Sequence, residues 1–256
     1  MYYERVGEGP PLVLLHGWCL SGAMWLYAVD SLRDEYQLIV PDLPGFGRSS
    51  QMRGPFTLER YVDGVAELVT EAITEAGREH YSLVGFAFGA DIALAAVARG
   101  LAVAPNGIVL AGITDGGQFP ADRMIRSMRR DWPDFARRSA GVLTRRTSAA
   151  TTDWLERIYA QTPLSVAADV AELLGEFEPT RLCSSIDVPA LFVHGANDDV
   201  APIDVARRCV EQTTAATLAA LDDAEHLVVL DQPAAFHDAV RDFVRSLSSA
   251  RAEAVR

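Results

Sequence analysis

Three positions in this chain stand where strands hand over to loops or helices, and each bears on acyl-transfer chemistry. Gly85-Phe86-Ala87-Phe88-Gly89 has the spacing of the G-x-S-x-G elbow, a tight strand-to-helix turn that holds a serine Oγ above a sheet. Asp198 lies in Gly195-Ala196-Asn197-Asp198-Asp199-Val200-Ala201-Pro202, and His226 closes Asp222-Asp223-Ala224-Glu225-His226. Nucleophile, acid, histidine is the order of an acyl-transfer triad on a doubly wound sheet. His226 would be the general base, and Asp198 would fix its tautomer and stabilise the imidazolium. The backbone N–H groups of Trp18 and Phe88 would face the developing oxyanion. The central elbow residue, however, is Ala87, which carries no nucleophile.

Other residues compete for these roles. A lone loop histidine is most often structural, and His226 rises above that reading only because it follows a strand and an acid in the right order. Asp199 could be the orienting acid, although the G-x-x-D spacing favours Asp198. Asp222, Asp223 and Glu225 read as turn and surface residues, and Asp42 as a tie for its own loop. His16 and His194, at strand ends, read as structural hydrogen-bonding groups, with His16 bracing the oxyanion loop. Trp18 and Phe86 are candidates for the wall of an acyl pocket.

The elements that must position these residues follow from periodicity. Leu12–Leu15, Leu38–Val40, a run ending in Val84, Gly107–Leu110 and Ala190–Val193 are continuously apolar. That pattern marks strands covered on both faces, as in a parallel sheet. Tyr2–Val6 adds an edge strand and Thr217–Leu221 a late one. Helical spacing covers Ser21–Leu32, a long segment N-capped by Thr57 and stopped by Gly77, Ala90–Ala98, Ile203–Thr213 and Gln232–Leu247. The stretch from Gly112 to about Ser185 breaks the alternation and reads as helical. The expectation is a doubly wound, mostly parallel α/β sheet with a helical cap inserted after the sixth strand. Residues 1–112 and 186–256 form its core and 113–185 its cap.

Bulk properties narrow the function classes. A chain of 256 residues with 49% hydrophobic content can bury one large core, and a net charge of -12 argues against general nucleic-acid binding. All 23 basic residues are arginine. Three dispersed cysteines, Cys19, Cys183 and Cys209, suggest neither a disulfide framework nor a zinc site. No signal segment and no membrane-length apolar run are present. The reading is a cytoplasmic monomer without metal or organic cofactor, and with neither a nucleic acid nor a membrane as partner.

The insertion has its own charge signature. Ala121–Arg146 holds eight arginines against Asp122, Asp131 and Asp134, a local +5 that leaves -17 for the rest of the chain. On one helix, Arg123, Arg126 and Arg130 share a face, and Met124, Met128 and Trp132 share another. The bland reading is a solvated cap helix. The functional one has the methionines roofing an acyl pocket and the arginines docking an acidic partner or phosphate.

His16-Gly17-Trp18, Pro41-Asp42-Leu43-Pro44-Gly45-Phe46-Gly47-Arg48-Ser49, the G-x-A-x-G elbow, G-x-x-D-x-x-A-P and His226-x-x-x-x-Asp231-x-Pro233-x-x-Phe236 together resemble the α/β-hydrolase superfamily. Within it the chain is most similar to the BioH-type carboxylesterases, which remove the methyl ester from pimeloyl-acyl-carrier-protein methyl ester in biotin synthesis. The resemblance implies a serine-type carboxylic ester hydrolase acting on an acyl ester. It also suggests an acyl carrier protein docking on the arginine-rich cap. Thioesterases and C–C hydrolases of the same superfamily share parts of the pattern. Because Gly85, Gly89, Asp198 and His226 all stand, Ala87 reads as a serine replaced to trap a substrate or partner, leaving the chain inactive. The alternative is a naturally serine-less member that binds a ligand or catalyses without a covalent step.

Overall fold

The computed structural model describes residues 1–254. Seven strands form one sheet in the order β1-β3-β2-β4-β5-β6-β7. They are β1 (Tyr3–Val6), β2 (Pro11–Leu15), β3 (Gln37–Pro41), β4 (Ser82–Phe86), β5 (Gly107–Ala111), β6 (Ala190–Gly195) and β7 (Ala216–Leu221). Only β1 runs antiparallel, against β3; every other neighbouring pair is parallel. Every residue of β2, β4, β5 and β6 is buried. The unbroken apolar runs therefore lie in the middle of a sandwich, where both faces of a strand need cover.

Helices supply that cover. On one face lie α1 (Leu26–Leu32) and the terminal helix Pro233–Ala254; on the other lie α2 (Leu58–Glu75) and α3 (Phe88–Arg99). The Thr57 hydroxyl caps α2 by accepting from the Arg60 N–H, and α2 turns Tyr61, Val62, Val65, Leu68, Val69, Ala72 and Ile73 inward. The first ten residues of α3, Phe88 to Val97, are buried, so this helix is enclosed all round rather than amphipathic.

The segment read as one helix from Ser21 divides into a 3-10 turn at Gly22–Trp25 and α1. Between β5 and β6 the chain contains no strand and five helices: α4 (Ala121–Arg130), α5 (Trp132–Leu143), α6 (Ala149–Gln161), α7 (Leu164–Glu176) and α8 (Thr180–Cys183). This insertion leaves the sheet after the fifth strand, not the sixth, because the sheet has seven strands among the described residues and β1 is the first. After β6 come α9 (Asp204–Gln212), then β7, the short α10 (Val228–Asp231) and α11 (Pro233–Ala254). Among the described residues no helix is long and apolar enough to cross a membrane.

The expectation of one helical face running from Met124 through Met128 to Trp132 is corrected. Asp131 leaves helical geometry at φ -160°, ψ 94°, and its side chain accepts from the Asp134 N–H. It therefore ends α4 and N-caps α5, as aspartate at an N-cap does, and Trp132 belongs to the second helix.

Candidate active site

The elbow is built by two close backbone approaches. A Cβ on Gly85 would lie 2.3 Å from the Gly89 carbonyl oxygen, and one on Gly89 would lie 2.3 Å from the carbonyl oxygen of Leu15 in β2. With no room for side chains at its shoulders, the chain turns sharply at Ala87, which adopts φ 47°, ψ -116°. Such a conformation costs a non-glycine residue about 1–3 kcal/mol. The Ala87 N–H donates to the Ala111 carbonyl of β5 at 2.8 Å, which pins the strained residue at the carboxyl end of the central strand. Phe88 begins α3, so its N–H has no helical acceptor and remains available to a ligand.

Asp198 follows β6 and His226 follows β7, and the two loops are laced together. The N–H groups of Ala196 and Asn197 donate to the carbonyls of Leu221 and Ala224, both at 3.0 Å. A Cβ on Gly195 would meet the Glu225 carbonyl oxygen at 2.2 Å, so the loops approach as closely as glycine permits. His226 Nδ1 then lies 2.8 Å from Asp198 Oδ2. The same oxygen lies 3.2 Å from His194 Nε2, while Oδ1 accepts from the Val200 and Ala201 N–H groups at 2.8 Å each. Burial pushes the Asp198 carboxyl up. The charge of His226 and the bonds from His194, His226 and the Ala201 N–H outweigh it and hold the group well below the usual carboxylate range. The acid is therefore ionised and accepts from the His226 Nδ1–H, which leaves Nε2 as the ring nitrogen without a hydrogen-bond partner among the described residues.

Asp199 does not compete. Its exposed side chain pairs with Arg145 at 2.9 Å, and the same guanidinium reaches Glu225 at 3.1 Å. Arg146 lies 3.7 Å from Asp223. The turn after α5 is thus pinned to the loops that carry both the acid and the histidine, a link that spacing alone does not reveal.

Ala87 and His226 line one cavity of about 290 Å³. Its core side includes Trp18, Phe86 and Phe88, and its roof includes Met124, Phe135 and Tyr159 from the inserted helices. Trp18 joins the two sides. Its indole N–H donates to the Ala167 carbonyl at 3.1 Å, and its ring meets Phe119, Phe135 and Tyr159 edge-on at 5.9–6.2 Å. The charged groups in the wall are all paired: Asp115 with Arg208, Arg138 with Asp134, His226 with Asp198. Among the described residues no cluster is suited to hold a metal ion.

Met128, expected in the roof, is fully buried and lies outside the lining. It sits one turn beyond Met124 on α4, the helix that packs against α5 and α7, and belongs to the hydrophobic core instead. Arg123 and Arg126 flank a separate open groove, Arg130 is exposed, and none of the three lines the cavity. His16 ties the loop that carries Trp18 to the loop after β3: its Nε2 accepts from the Leu43 N–H at 2.9 Å and its Nδ1 lies 2.8 Å from the Gly17 carbonyl oxygen. Asp42 ties its own loop at the Arg48 N–H and also holds the Gly22 N–H.

The residue that sequence reasoning missed is Asp91, one turn into α3. Fully buried, it accepts from the Thr114 hydroxyl at 2.5 Å and from the Thr114 N–H at 3.2 Å. Burial pushes its carboxyl up to about 7, against those two bonds. A charged residue inside an otherwise apolar helix was the available signal.

The elbow residue Ala87, a buried acid, Asp198, and a histidine, His226, thus stand at the carboxyl ends of β4, β6 and β7. The chain belongs to the Alpha/beta hydrolase family, whose match spans residues 12–239. It is 29% identical over 260 residues to the pimeloyl-[acyl-carrier protein] methyl ester esterase of Sodalis glossinidius, covering 95% of this chain and 97% of that one. The Nitrosospira multiformis protein of the same name is 27% identical, with 96% and 98% covered. In fold the chain resembles the esterase EaEST from Exiguobacterium antarcticum, with a TM-score of 0.88, 20% identity and 95% of each chain covered.

Asp91 yields a signed pH prediction. Between the ordinary carboxylate value of about 4 and about 7, the folded protein holds the Asp91 proton and the unfolded chain does not. The stability this confers is fully present below that window and is lost as pH rises through it. His16 and His237, both lowered to about 4 by burial, act in the opposite sense as pH falls below the ordinary histidine value. Subtracting an Asp91→Asn variant isolates the aspartate. Urea unfolding from pH 5 to 8 should show the parent's stability relative to Asp91→Asn falling as pH rises and levelling above about 7. A pH-independent difference would contradict this assignment.

Proposed function

We propose that this protein is a carboxylic ester hydrolase by design, acting on a neutral acyl ester, in which alanine occupies the nucleophile's place. The observation that carries the reading is the 2.8 Å Asp198–His226 contact beside Ala87 in one cavity. An acid–histidine pair costs burial of a charge and has little structural use at the mouth of a cavity; it has a catalytic use as the base for a hydroxyl at position 87. The N–H groups of Trp18 and Phe88 are the candidate oxyanion donors. With Ala87 the covalent route is closed, and substrate binding is retained.

The cavity argues for the acyl class. Its volume of about 290 Å³ and its aromatic walls suit a short to medium chain, and no unpaired charge in the wall would welcome a charged end. The relatives' names agree with this in specifying a methyl ester on an acyl carrier protein. We extend the proposal to a carrier-linked, pimeloyl methyl ester-like substrate in biotin synthesis, with residues 113–185 as a lid. Arg137 and Arg138 pair with Asp134, Arg145 with Asp199 and Glu225, and Arg146 with Asp223. Among the described residues Arg123, Arg126, Arg129 and Arg130 have no such partner. The arginines of Ala121–Arg146 without an ion-pair partner thus all lie on α4, where an acidic carrier could be steered, while the whole insertion 113–185, with ten arginines against ten Asp and Glu, is neutral.

Ala87→Ser should raise hydrolysis of a short methyl ester by at least ~10³-fold and create reactivity toward a fluorophosphonate. A serine variant as slow as the parent, and inert to the probe, would overturn the esterase reading. In that serine variant, replacing Arg123, Arg126 and Arg130 together by glutamate should lower kcat/KM for a carrier-bound ester but not for a free methyl ester. The loss should shrink as the Debye length falls from ~10 Å at 0.1 M salt to ~3 Å at 1 M. Equal losses on both substrates would leave the arginines as a solvated helix face.

A further inference from the structure

The base unit of this site is complete even though the serine is not. Asp198 is ionised and holds His226 through Nδ1, so the Nδ1 proton stays in that bond and the Nε2 lone pair is unclaimed. His226 and Ala87 line the same cavity, and Ala87 reaches it with a methyl group, one oxygen shorter than a serine side chain. A water molecule that replaces that oxygen would meet the same base and the same carbonyl. Asp91, the other carboxyl near the elbow, is committed to Thr114 and enclosed, so it offers no rival base.

Resting on the reading of the cavity as an acyl site, we propose that the protein in its present form hydrolyses activated acyl compounds, thioesters and aryl esters, by direct His226-assisted attack of solvent water. Water gives a proton to His226 Nε2 as its oxygen bonds to the acyl carbon, and the carbonyl pair moves onto the oxygen facing the Trp18 and Phe88 N–H groups. As the tetrahedral species collapses, the bond to sulfur or aryl oxygen breaks and the imidazolium returns its proton to the leaving group. One water is consumed, one acid and one thiol or phenol are released, and nothing remains attached to the protein.

The route has a selectivity of its own. A serine-built site splits the reaction into two displacements and can expel a methoxide-like group with help from the histidine. A single attack by water is harder, so it discriminates against poor leaving groups. The parent protein should accept thioesters and aryl esters and leave methyl esters almost untouched, whereas Ala87→Ser should accept both. General-base assistance of this kind contributes ~10²–10⁴-fold.

The test uses the purified full-length protein with p-nitrophenyl butyrate, a butyryl thioester of N-acetylcysteamine, and methyl butyrate. For the first two, turnover should exceed the buffer rate and fall by at least ~10²-fold in His226→Ala. Added imidazole, after subtraction of its own hydrolysis of the ester in buffer, should restore part of the loss in a manner that saturates with ester, which a misfolded variant could not show. Intact-protein mass during turnover should show no acyl adduct, and a fluorophosphonate should not inhibit. Turnover equal in the parent and His226→Ala, or an acyl adduct on the parent, would overturn the proposal. Failure of Ala87→Ser to accelerate methyl ester hydrolysis strikes the esterase reading instead, so the two failures are distinguishable.

Discussion

Three backbones converge behind Ala87, and the rest of the site is arranged around that convergence. Leu15 at the end of β2, Gly85 in β4 and Gly89 in α3 approach so closely that a single methyl group at either glycine would strike a carbonyl oxygen at 2.3 Å. The approach can be made only if the chain reverses within one residue, which places Ala87 at φ 47°. The same contact brings the start of α3 against the carbonyls of Leu15 and His16, next to the loop that carries Trp18. Sheet packing of β4 between β2 and β5 resists relaxation of the turn, because any release of strain at 87 must move a strand buried on both faces. Strain of about 1–3 kcal/mol is small against that packing.

Electrostatics at the other two strand ends follow a similar logic of enclosure. Asp198 is kept charged inside the protein by four donors around its two oxygens, and one of them is the imidazole it orients. Asp91 lies one helical turn past the elbow, where two Thr114 bonds do not offset burial, and it holds its proton far more readily. The two carboxyls differ in environment rather than kind, and only the one exposed to a base is equipped for chemistry. Arg145 then joins the acid loop and the histidine loop to the inserted helices through Asp199 and Glu225, so the insertion and the Asp198–His226 pair share an anchor.

Much of this was legible in the sequence, because it depends on local rules. Buried parallel strands are unbroken apolar runs, Thr57 announces its helix, and glycines at 85 and 89 mark a turn that only a close approach requires. The positions of Asp198 and His226 follow from their being next in line behind successive strands. Most of what was illegible depends on contacts between distant segments, and the rest on a local cap. The break at Asp131 pairs a cap with a new helix, yet charge periodicity reads straight through it. Met128 has the same spacing as Met124, but the packing of α4 against α5 and α7 decides which of them sees the cavity. The roles of Arg145 and Thr114 rest on partners 54 and 23 residues away, which no window of spacing contains.

The central claim is that position 87 sits in a frame able to stabilise a tetrahedral acyl adduct. The most direct measurement is the affinity of an acyl trifluoromethyl ketone, which forms such an adduct with a serine, for the parent protein and for Ala87→Ser. If the frame is intact, the serine variant should bind the ketone at least ~10²-fold more tightly than the parent, in the range that separates transition-state mimics from substrates. Equal affinity in the two proteins would contradict the account.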